Sequence, residues 1–423
     1  MNKQIPISKS RASKINVLIF FFILLVAGVV IFLPKKSGVI TDLKTTLSLP
    51  TCPANLQGLV TYPIMDKGVI RGLIPLGNSN PPGHTFPVDH IYFHGEPDGV
   101  ERNVYAAGDG VISNVTMIKT YGLDGKLKSM GLTLTIDYCK GIQLVNAIEG
   151  EPSAIITNVI GSQQESCKRV AAKHEGESGI DFCGYSVSIP VKAADIVAIT
   201  DGKTFPEIWA LDKNKPLSKD VDWERYNSPY YQYAFCFFDM YPQDLKDYYY
   251  SLFGNYVDTT QAFLKDIGNG KKIEVKSGLI PRTIPPLCGN VMQNVVGTAK
   301  GDWFGEGRDD DSETSYEKDL ALIEDNQDPT YQRVVIAGYV SEPSLLNFRV
   351  VHSGTINRDF AEVTADGKTY CYYLTNDTGN AGGWWNGGKI VLRLVDAHNL
   401  LIEKQEGSCT GQEQLRSPKK YDR

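Results

Sequence analysis

The sequence predicts a mainly β protein: an N-terminal transmembrane helix, an antiparallel β-sandwich, a short helical segment and a C-terminal antiparallel β-barrel or sandwich. Three observations carry this expectation. Forty glycines and 22 prolines punctuate the 423 residues, and these residues set turns and break long helices. Short segments rich in Val, Ile, Thr and Tyr recur, several alternating apolar with polar side chains as half-buried strands do. One long run, residues 15–33, is apolar on all sides. With 42% hydrophobic and 22% charged residues the composition is globular, and the length suits two to three domains. A net charge of −6, from 43 basic and 49 acidic residues, argues against a nucleic-acid partner.

Taken in order, residues 1–14 read as a cytoplasmic tail carrying Lys3, Lys9, Arg11 and Lys14. The following run, INVLIFFFILLVAGVVIFL, has Asn16 as its strongly polar member. At 1.5 Å per residue a helix of this length spans about 28 Å, close to the hydrocarbon thickness of a bilayer. Only Lys35 and Lys36 follow it, so the charge balance places the N-terminus in the cytoplasm. Leu33-Pro34-Lys35-Lys36 offers no small-x-small cleavage site, which favours an uncleaved anchor over a signal peptide. Residues 34–56 read as a stalk, and everything beyond would be extracytoplasmic. The cysteines fit that side of a membrane. There are eight, scattered and without a CxxC pair, the pattern of disulfides rather than structural zinc. Cys371 and Cys409 flank the last strand-like segments and are expected to pair.

Residues 57–212 form the first expected β domain. Segment 104–115 reads as a strand pair around Gly108-Asp109-Gly110, and 131–138 as a half-buried strand. Segment 154–160 reads as another strand, and 185–199 as a further pair. Residues 213–287 form an aromatic connector whose segments 230–239 and 242–253 are the best helix candidates. Pro242 and Gly254 supply start and stop signals for the second. Residues 288–410 return to β texture, with strands expected at 332–340, 347–353, 368–374, 389–394 and 400–403, and turns at Asp366-Gly367 and Gly387-Gly388. Gly297, Gly301 and Trp303 either shape a ligand mouth or set turns and plug a barrel end. The acidic run 309–313 lacks spaced calcium ligands and reads as a solvated loop. Residues 411–423 read as a polar tail.

Chemistry-bearing residues gather at one place. His84, Asp89, His90 and His94 fall within residues 84–94. A histidine and a carboxylate so close can share one divalent cation, and zinc tolerates that mix. Loop histidines satisfied by backbone groups are the plainer alternative.

At this point the chain resembles the lysostaphin-type (LytM-like) zinc endopeptidases that cut peptidoglycan cross-bridges. That family carries a His and an Asp close together, then segments of the type PVYAAADGVV, VxIDHGNG and VKAGDVIGxxG. Here His84 and Asp89 are followed by Asn103-Val-Tyr-Ala-Ala-Gly-Asp-Gly-Val-Ile, by Leu134-Thr-Ile-Asp137-Tyr-Cys-Lys-Gly141, and by Val191-Lys-Ala-Ala-Asp195-Ile-Val-Ala-Ile-Thr-Asp-Gly202. The resemblance covers roughly residues 60–211 and implies an antiparallel β-sandwich built on the family's duplicated motif. The C-terminal half, from Cys288-Gly-Asn-Val-Met through Trp303, is similar to modules of exported prokaryotic proteins and adds no activity.

Departures from the pattern bear on function. Four residues separate His84 from Asp89 where the family has three. The family's late His-x-His falls here on Phe205-Pro-Glu207-Ile208-Trp209-Ala210, and 143–149 holds no histidine. Catalytic zinc needs three protein ligands and an open position for water. His84 and Asp89 therefore read as remnant ligands, with His90, His94, His174 or Glu207 as substitutes for the missing one. Glu207, Trp209 and Trp303 are candidate binding residues, and no residue is assigned as catalytic. The expected function is a membrane-anchored extracytoplasmic protein with a degenerate peptidase-like domain, a non-catalytic envelope binding or scaffold protein that needs no cofactor and whose partners would be a cell-wall glycan, a peptide or an envelope protein. Two alternatives stand beside it: a zinc endopeptidase with rearranged ligands, and a small-ligand or lipid carrier built on the C-terminal barrel.

Overall fold

Two large antiparallel sheets dominate the computed structural model, which describes residues 49–423 except 82, 96–98, 164–165, 172–176, 219–220, 227, 258–262, 267–271, 276–277, 309–314, 341–344 and 375–386. Among the described residues no helix is long and apolar enough to cross a membrane. The expected span 15–33, most of the stalk, the acidic run 309–313 and His174 lie outside the described residues.

The first sheet has ten strands: β1 (Gly72–Ile74), β2 (Ile91–His94), β3 (Arg102–Tyr105), β4 (Gly110–Gly122), β5 (Leu127–Cys139), β6 (Ile142–Pro152), β7 (Ser166–Val170), β8 (Glu177–Val191), β9 (Ile196–Thr200) and β10 (Glu207–Asp212). Its main order is β1-β2-β10-β6-β5-β4-β8-β7, with β9 bridging β3 and the end of β6. Alternation in β4 and β5 follows the pleat. Val115, Leu132, Leu134 and Ile136 enter the core, while Asn114, Thr116 and Thr135 on the opposite face stay half-buried.

Two expected hairpins are replaced by a crossing. Segment 104–115 is not a strand pair: β3 pairs with β9, whereas β4 pairs with β5 and β8. Likewise β8 and β9 are consecutive but unpaired. The two connections pack on each other instead. Asp109 accepts a hydrogen bond from the Ala193 amide (3.1 Å) and pairs with Lys192 Nζ (2.7 Å). Ala106 and Asp195 are joined through their backbones at 2.8 Å. Ala194, at φ 76°, occupies the left-handed region that costs a side-chain-bearing residue about 1–2 kcal/mol.

Segment 154–160 is a helix, α1 (Ala154–Ile160), and not a strand. Its β-branched residues favour a strand locally, but Ile156 and Ile160, one turn apart, are the two that the core buries. In the connector, 230–239 is not a continuous helix. It forms 3₁₀ turns at Tyr231–Tyr233 and Phe237–Met240, and the second expected helix is shorter, α2 (Gln243–Tyr250). Phe237, Phe238, Tyr241 and Tyr249 are all fully buried. An aromatic layer so enclosed sets the backbone by packing and not by helical propensity.

Two small ribbons follow, β11 (Gly254–Val257) with β14 (Gly278–Pro281) and β12 (Phe263–Asp266) with β13 (Lys272–Val275). The second large sheet has eight strands: β15 (Gly301–Gly305), β16 (Asp319–Glu324), β17 (Gln332–Ile336), β18 (Leu346–Val350), β19 (Tyr370–Tyr372), β20 (Lys389–Leu394), β21 (Asn399–Gln405) and β22 (Lys419–Asp422). It runs β18-β17-β16-β15-β22-β21-β20-β19 and curls nearly into a barrel. Residues 411–423, expected as a polar tail, supply β22 between β15 and β21. The barrel interior is filled by Trp303, Phe348, Phe360, Tyr372 and Tyr421, each at 0% exposure.

The outer face of β15–β18 is covered too. Phe304, Ala321, Ile323 and Val335 join Phe86, Tyr226 and Val291 in the large core of the first unit. At this seam lies a buried ion cluster. Asp325 is held by Arg333 (Nε 3.0 Å) and Arg349 (Nη2 2.7 Å) and by the amides of Gln327 and Asp328. Burial alone would raise its carboxyl, but the two guanidiniums outweigh it and hold the group well below the usual range. All eight cysteines are bridged: Cys52–Cys139, Cys167–Cys183, Cys236–Cys288 and the expected Cys371–Cys409.

Replacing Ala194 by glycine relieves the left-handed strain at the crossing. Ala194→Gly is expected to raise unfolding stability by about 0.5–1 kcal/mol in a denaturant titration, although glycine ordinarily lowers it. Destabilisation of similar size would mean that the left-handed backbone is not strained.

Candidate functional site

The histidine segment leads into β2 through a loop that folds on itself. Gly77 and Val88 are joined by a backbone bond of 2.9 Å, and Asn80 and His84 exchange two, at 2.7 and 3.2 Å. The C-terminal unit holds this loop from outside. Asn347 Nδ2 donates to Ser79 O (3.3 Å), and the Phe86 ring packs 5.2 Å from that of Phe304.

Beyond the loop, β2 pairs with β10, placing Tyr92 opposite Glu207 and Ile91 opposite Ile208. β2 leaves the edge of β10 there, and the connector takes over. Ala234 bridges Leu211, and the Phe235 amide donates to Ala210 O at 3.1 Å. The site lies at this hand-over. His84, Asp89, His90, Glu207 and Trp209, distant in sequence, are brought together and buried.

Asp89 is the centre, with a relative exposure of 2%. Its Oδ1 accepts from the Trp209 indole N–H (2.8 Å) and lies 2.9 Å from His90 Nδ1; its Oδ2 accepts from Ser228 Oγ (2.8 Å). A carboxylate oxygen has only lone pairs to offer, so the His90 proton sits on Nδ1 and its Nε2 faces away. The imidazole is further fixed by the Trp209 ring at 4.4 Å and the Tyr92 ring at 4.6 Å. Ser228 Oγ in turn accepts from the Tyr230 amide at 3.2 Å.

Glu207 Oε2 stands 3.9 Å from His90 Nε2. Among the described residues, those two atoms and His84 Nε2 are buried without a protein hydrogen-bond partner. Burial, with help from Glu149, pushes the Glu207 carboxyl up to about 8, and burial pushes Glu149 up to about 7. Burial and then the neighbouring His90 pull His84 down to about 3; burial pulls His94 down to about 4. Asp89 is thus ringed by buried groups whose hydrogen bonds and ring contacts hold one another's geometry.

These residues do not fit a catalytic zinc. Such a site needs three donors each about 2.0–2.2 Å from one point. Among the described residues, the one set of three His, Cys, Asp or Glu donors within 4.8 Å of each other is Cys371, Cys409 and Glu413, and both of its sulfurs are in a disulfide. His84, Asp89, His90, His94 and Glu207 yield no such set, and Asp89 is engaged by three other donors. His94 lies at the far end of β2, opposite Gly72. Trp303 is in the other core, where its indole N–H donates to Ala299 O (2.9 Å) and the Arg423 guanidinium covers its ring at 4.2 Å.

Sequence reasoning missed Ser228, Tyr92 and Glu149. Tyr92 was legible as the residue two positions beyond His90, and Glu149 as an acid inside a β strand. Ser228, 139 residues from Asp89, carries no local signal.

The register also defines a floor beside the site. One row crosses the sheet as Ser186, Asn114, Thr135, Val145 and Trp209; the next runs Gly184, Thr116, Thr133, Ala147, Glu207 and Tyr92. From β8 to β10 this spans about 19 Å at ordinary strand spacing. Ser186 and Gly184 are exposed, Asn114, Thr116 and Thr135 half-buried, and Thr133, Val145, Ala147, Glu207, Trp209 and Tyr92 buried. This face is open at β8 and covered from β6 to β10, where Tyr230 and Tyr233 pack on Val145, Ala147 and Trp209, the Tyr230 ring edge-on 6.4 Å from that of Trp209. Comparison of the chain with protein-family models, curated proteins and solved structures finds no match, so the functional reading rests on this geometry.

The shifted groups predict opposite pH limbs. His84 and His94 have folded values below 6.5, so the unfolded chain binds more protons and stability falls as pH drops below about 6.5. Glu207 and Glu149 have raised values, so their contribution is present at low pH and is lost as pH rises from about 4.5 to 8. Glu207→Gln is expected to flatten the alkaline limb, at up to about 1.4 kcal/mol per pH unit. Melting curves at pH 5 and about pH 8 read this out, and an unchanged difference between wild type and variant at the two pH values contradicts it.

Proposed function

We propose that this chain is a membrane-anchored, extracytoplasmic, non-catalytic protein that binds an extended polymer of the cell envelope, a glycan or peptide strand, on the polar face of its ten-stranded sheet across β8, β4 and β5. The observation that carries this reading is the floor itself. Hydroxyl and amide side chains of Asn114, Thr116, Thr135 and Ser186 line adjacent strands, an arrangement that can meet the alternating donors and acceptors of a sugar or peptide chain. Gly184 leaves backbone accessible at the open end, and the partly buried Tyr230 and Tyr233 close the other.

Several features support the same reading. The commitment of Asp89 to Trp209, Ser228 and His90 favours binding over metal-assisted hydrolysis. Four disulfides and no free cysteine suit an oxidising compartment, as does the apolar run 15–33 read as an anchor. The filled interior of the eight-stranded sheet speaks against a carrier of small ligands or lipid.

The test is co-sedimentation of the full chain, in detergent, with purified cell-wall glycan, with cross-linked wall peptides and with an unrelated polysaccharide. Binding to one wall component is expected, weakened about tenfold or more by Thr116→Arg or Thr135→Arg, whose bulk obstructs that face. Absence of binding to every wall component, or binding unaffected by both variants, overturns the proposal.

A further inference from the structure

Each of the four disulfides joins one buried cysteine to a more accessible partner. The buried members are Cys139, Cys183, Cys288 and Cys371, at 1, 0, 4 and 2% exposure. Their partners Cys52, Cys236 and Cys409 are half-buried, whereas Cys167 is exposed. Cys167 also occupies an unusual place. It lies on β7, the five-residue edge of the ten-stranded sheet, directly opposite Cys183 on β8. Ser166, Lys168 and Arg169 on the same strand are exposed, and Val170 is half-buried, so no side chain of β7 is fully buried. The strand is held by its ladder to β8, by the bridge, and by the exposed Arg169, which pairs with Asp181 at 3.4 Å and lies over the Tyr121 ring at 4.9 Å.

We propose that Cys167–Cys183 is the thiol-exchange site of this chain: a dithiol reductant opens it before the other three bridges, releasing β7 and uncovering the backbone edge of β8. Exchange requires a thiolate to approach a disulfide sulfur in line with the S–S bond, so access to the attacked sulfur decides which bridge reacts. The leaving cysteine is buried in all four bridges, which makes that factor common to them. The chemistry balances. One thiolate of the reductant bonds to Cys167 Sγ, and the S–S electron pair passes to Cys183 Sγ, which takes up a proton. The second thiol of the reductant, once deprotonated, attacks its own sulfur in the mixed disulfide and expels Cys167 as a thiolate, which is protonated in turn. The protein gains two electrons and two protons, and the reductant leaves as a cyclic disulfide. Lys168 and Arg169 flank the departing Cys167 thiolate in sequence, and cationic neighbours favour that form. Arg169 shares its charge with Asp181 at 3.4 Å.

The consequence is local. Loss of the bridge frees a strand with no fully buried side chain, and the opposite edge of β8 remains paired with β4. The amides of β8 that face β7 then become an open strand edge, the template on which another strand can add.

The experiment is graded reduction of the full-length protein with dithiothreitol, trapping of free thiols with one isotope of iodoacetamide, then complete reduction, labelling with a second isotope and mass spectrometry of each cysteine. Cys167 and Cys183 are expected to label at about tenfold lower reductant than any other pair. Hydrogen exchange of the partly reduced protein is expected to show lost protection confined to β7 and the facing amides of β8. Another bridge opening first, or all four opening together, overturns the proposal. Retention of full protection in β7 after Cys167 and Cys183 are both labelled overturns its second half, the release of the strand.

Discussion

A buried carboxylate must have its lone pairs occupied, and the way Asp89 meets that demand organises this molecule. Its three partners come from three places: His90 beside it, Trp209 on β10, and Ser228 in the connector. The one side chain therefore ties the histidine loop to the sheet and the connector to both. A group buried to this degree without such partners would cost several kcal/mol, so the loop, the strand and the connector are interdependent. Oxygens that already accept these bonds are poorly placed to grip a cation, and the scatter of the remaining donors agrees.

The same closure shapes the proposed binding surface. The connector covers the sheet face where Trp209 lies, and the C-terminal sheet braces the histidine loop through Phe304 and Asn347. What remains open is the β8 end, where Ser186 is exposed and Asn114 and Thr116 are half-buried. The chemistry-bearing residues hold one another in place, and the neighbouring polar floor is the surface proposed for recognition. The C-terminal unit is joined to the first along the whole outer face of β15–β18, apolar side chains and the Asp325 cluster together. It acts as a buttress and not as an appended module.

Much of this was legible in the sequence, for reasons visible in particular residues. Period-two alternation in 131–138 announced β5 because Leu132, Leu134 and Ile136 on one face enter the core while Thr133, Thr135 and Asp137 stand on the other. The resemblance set Glu207 and Trp209 where the family has its late histidines, but their meeting with His84, Asp89 and His90 depends on the pairing of β2 with β10 and was not legible in local spacing. Pairing was not legible: the Gly108-Asp109-Gly110 turn looks like a hairpin, yet β3 finds β9, almost a hundred residues on, a choice set by the whole sheet. Helix α1 was hidden by β-branched residues, and β22 by its charges, since Tyr421 is the residue of Lys419–Asp422 that reaches the core. Ser228 was beyond reach because a long-range hydrogen bond leaves no trace in local spacing.

The most direct measurement of the central claim is the zinc content of the purified full chain after equilibration with excess Zn²⁺ and exhaustive dialysis, compared with Asp89→Asn. With Asp89 committed to Trp209, Ser228 and His90, the wild-type chain should retain far less than one zinc, and the variant no less than the wild type. About one zinc per wild-type chain, lost in the variant, would show that Asp89 is a metal ligand and not a structural anchor, contradicting its role as the tie between loop, sheet and connector.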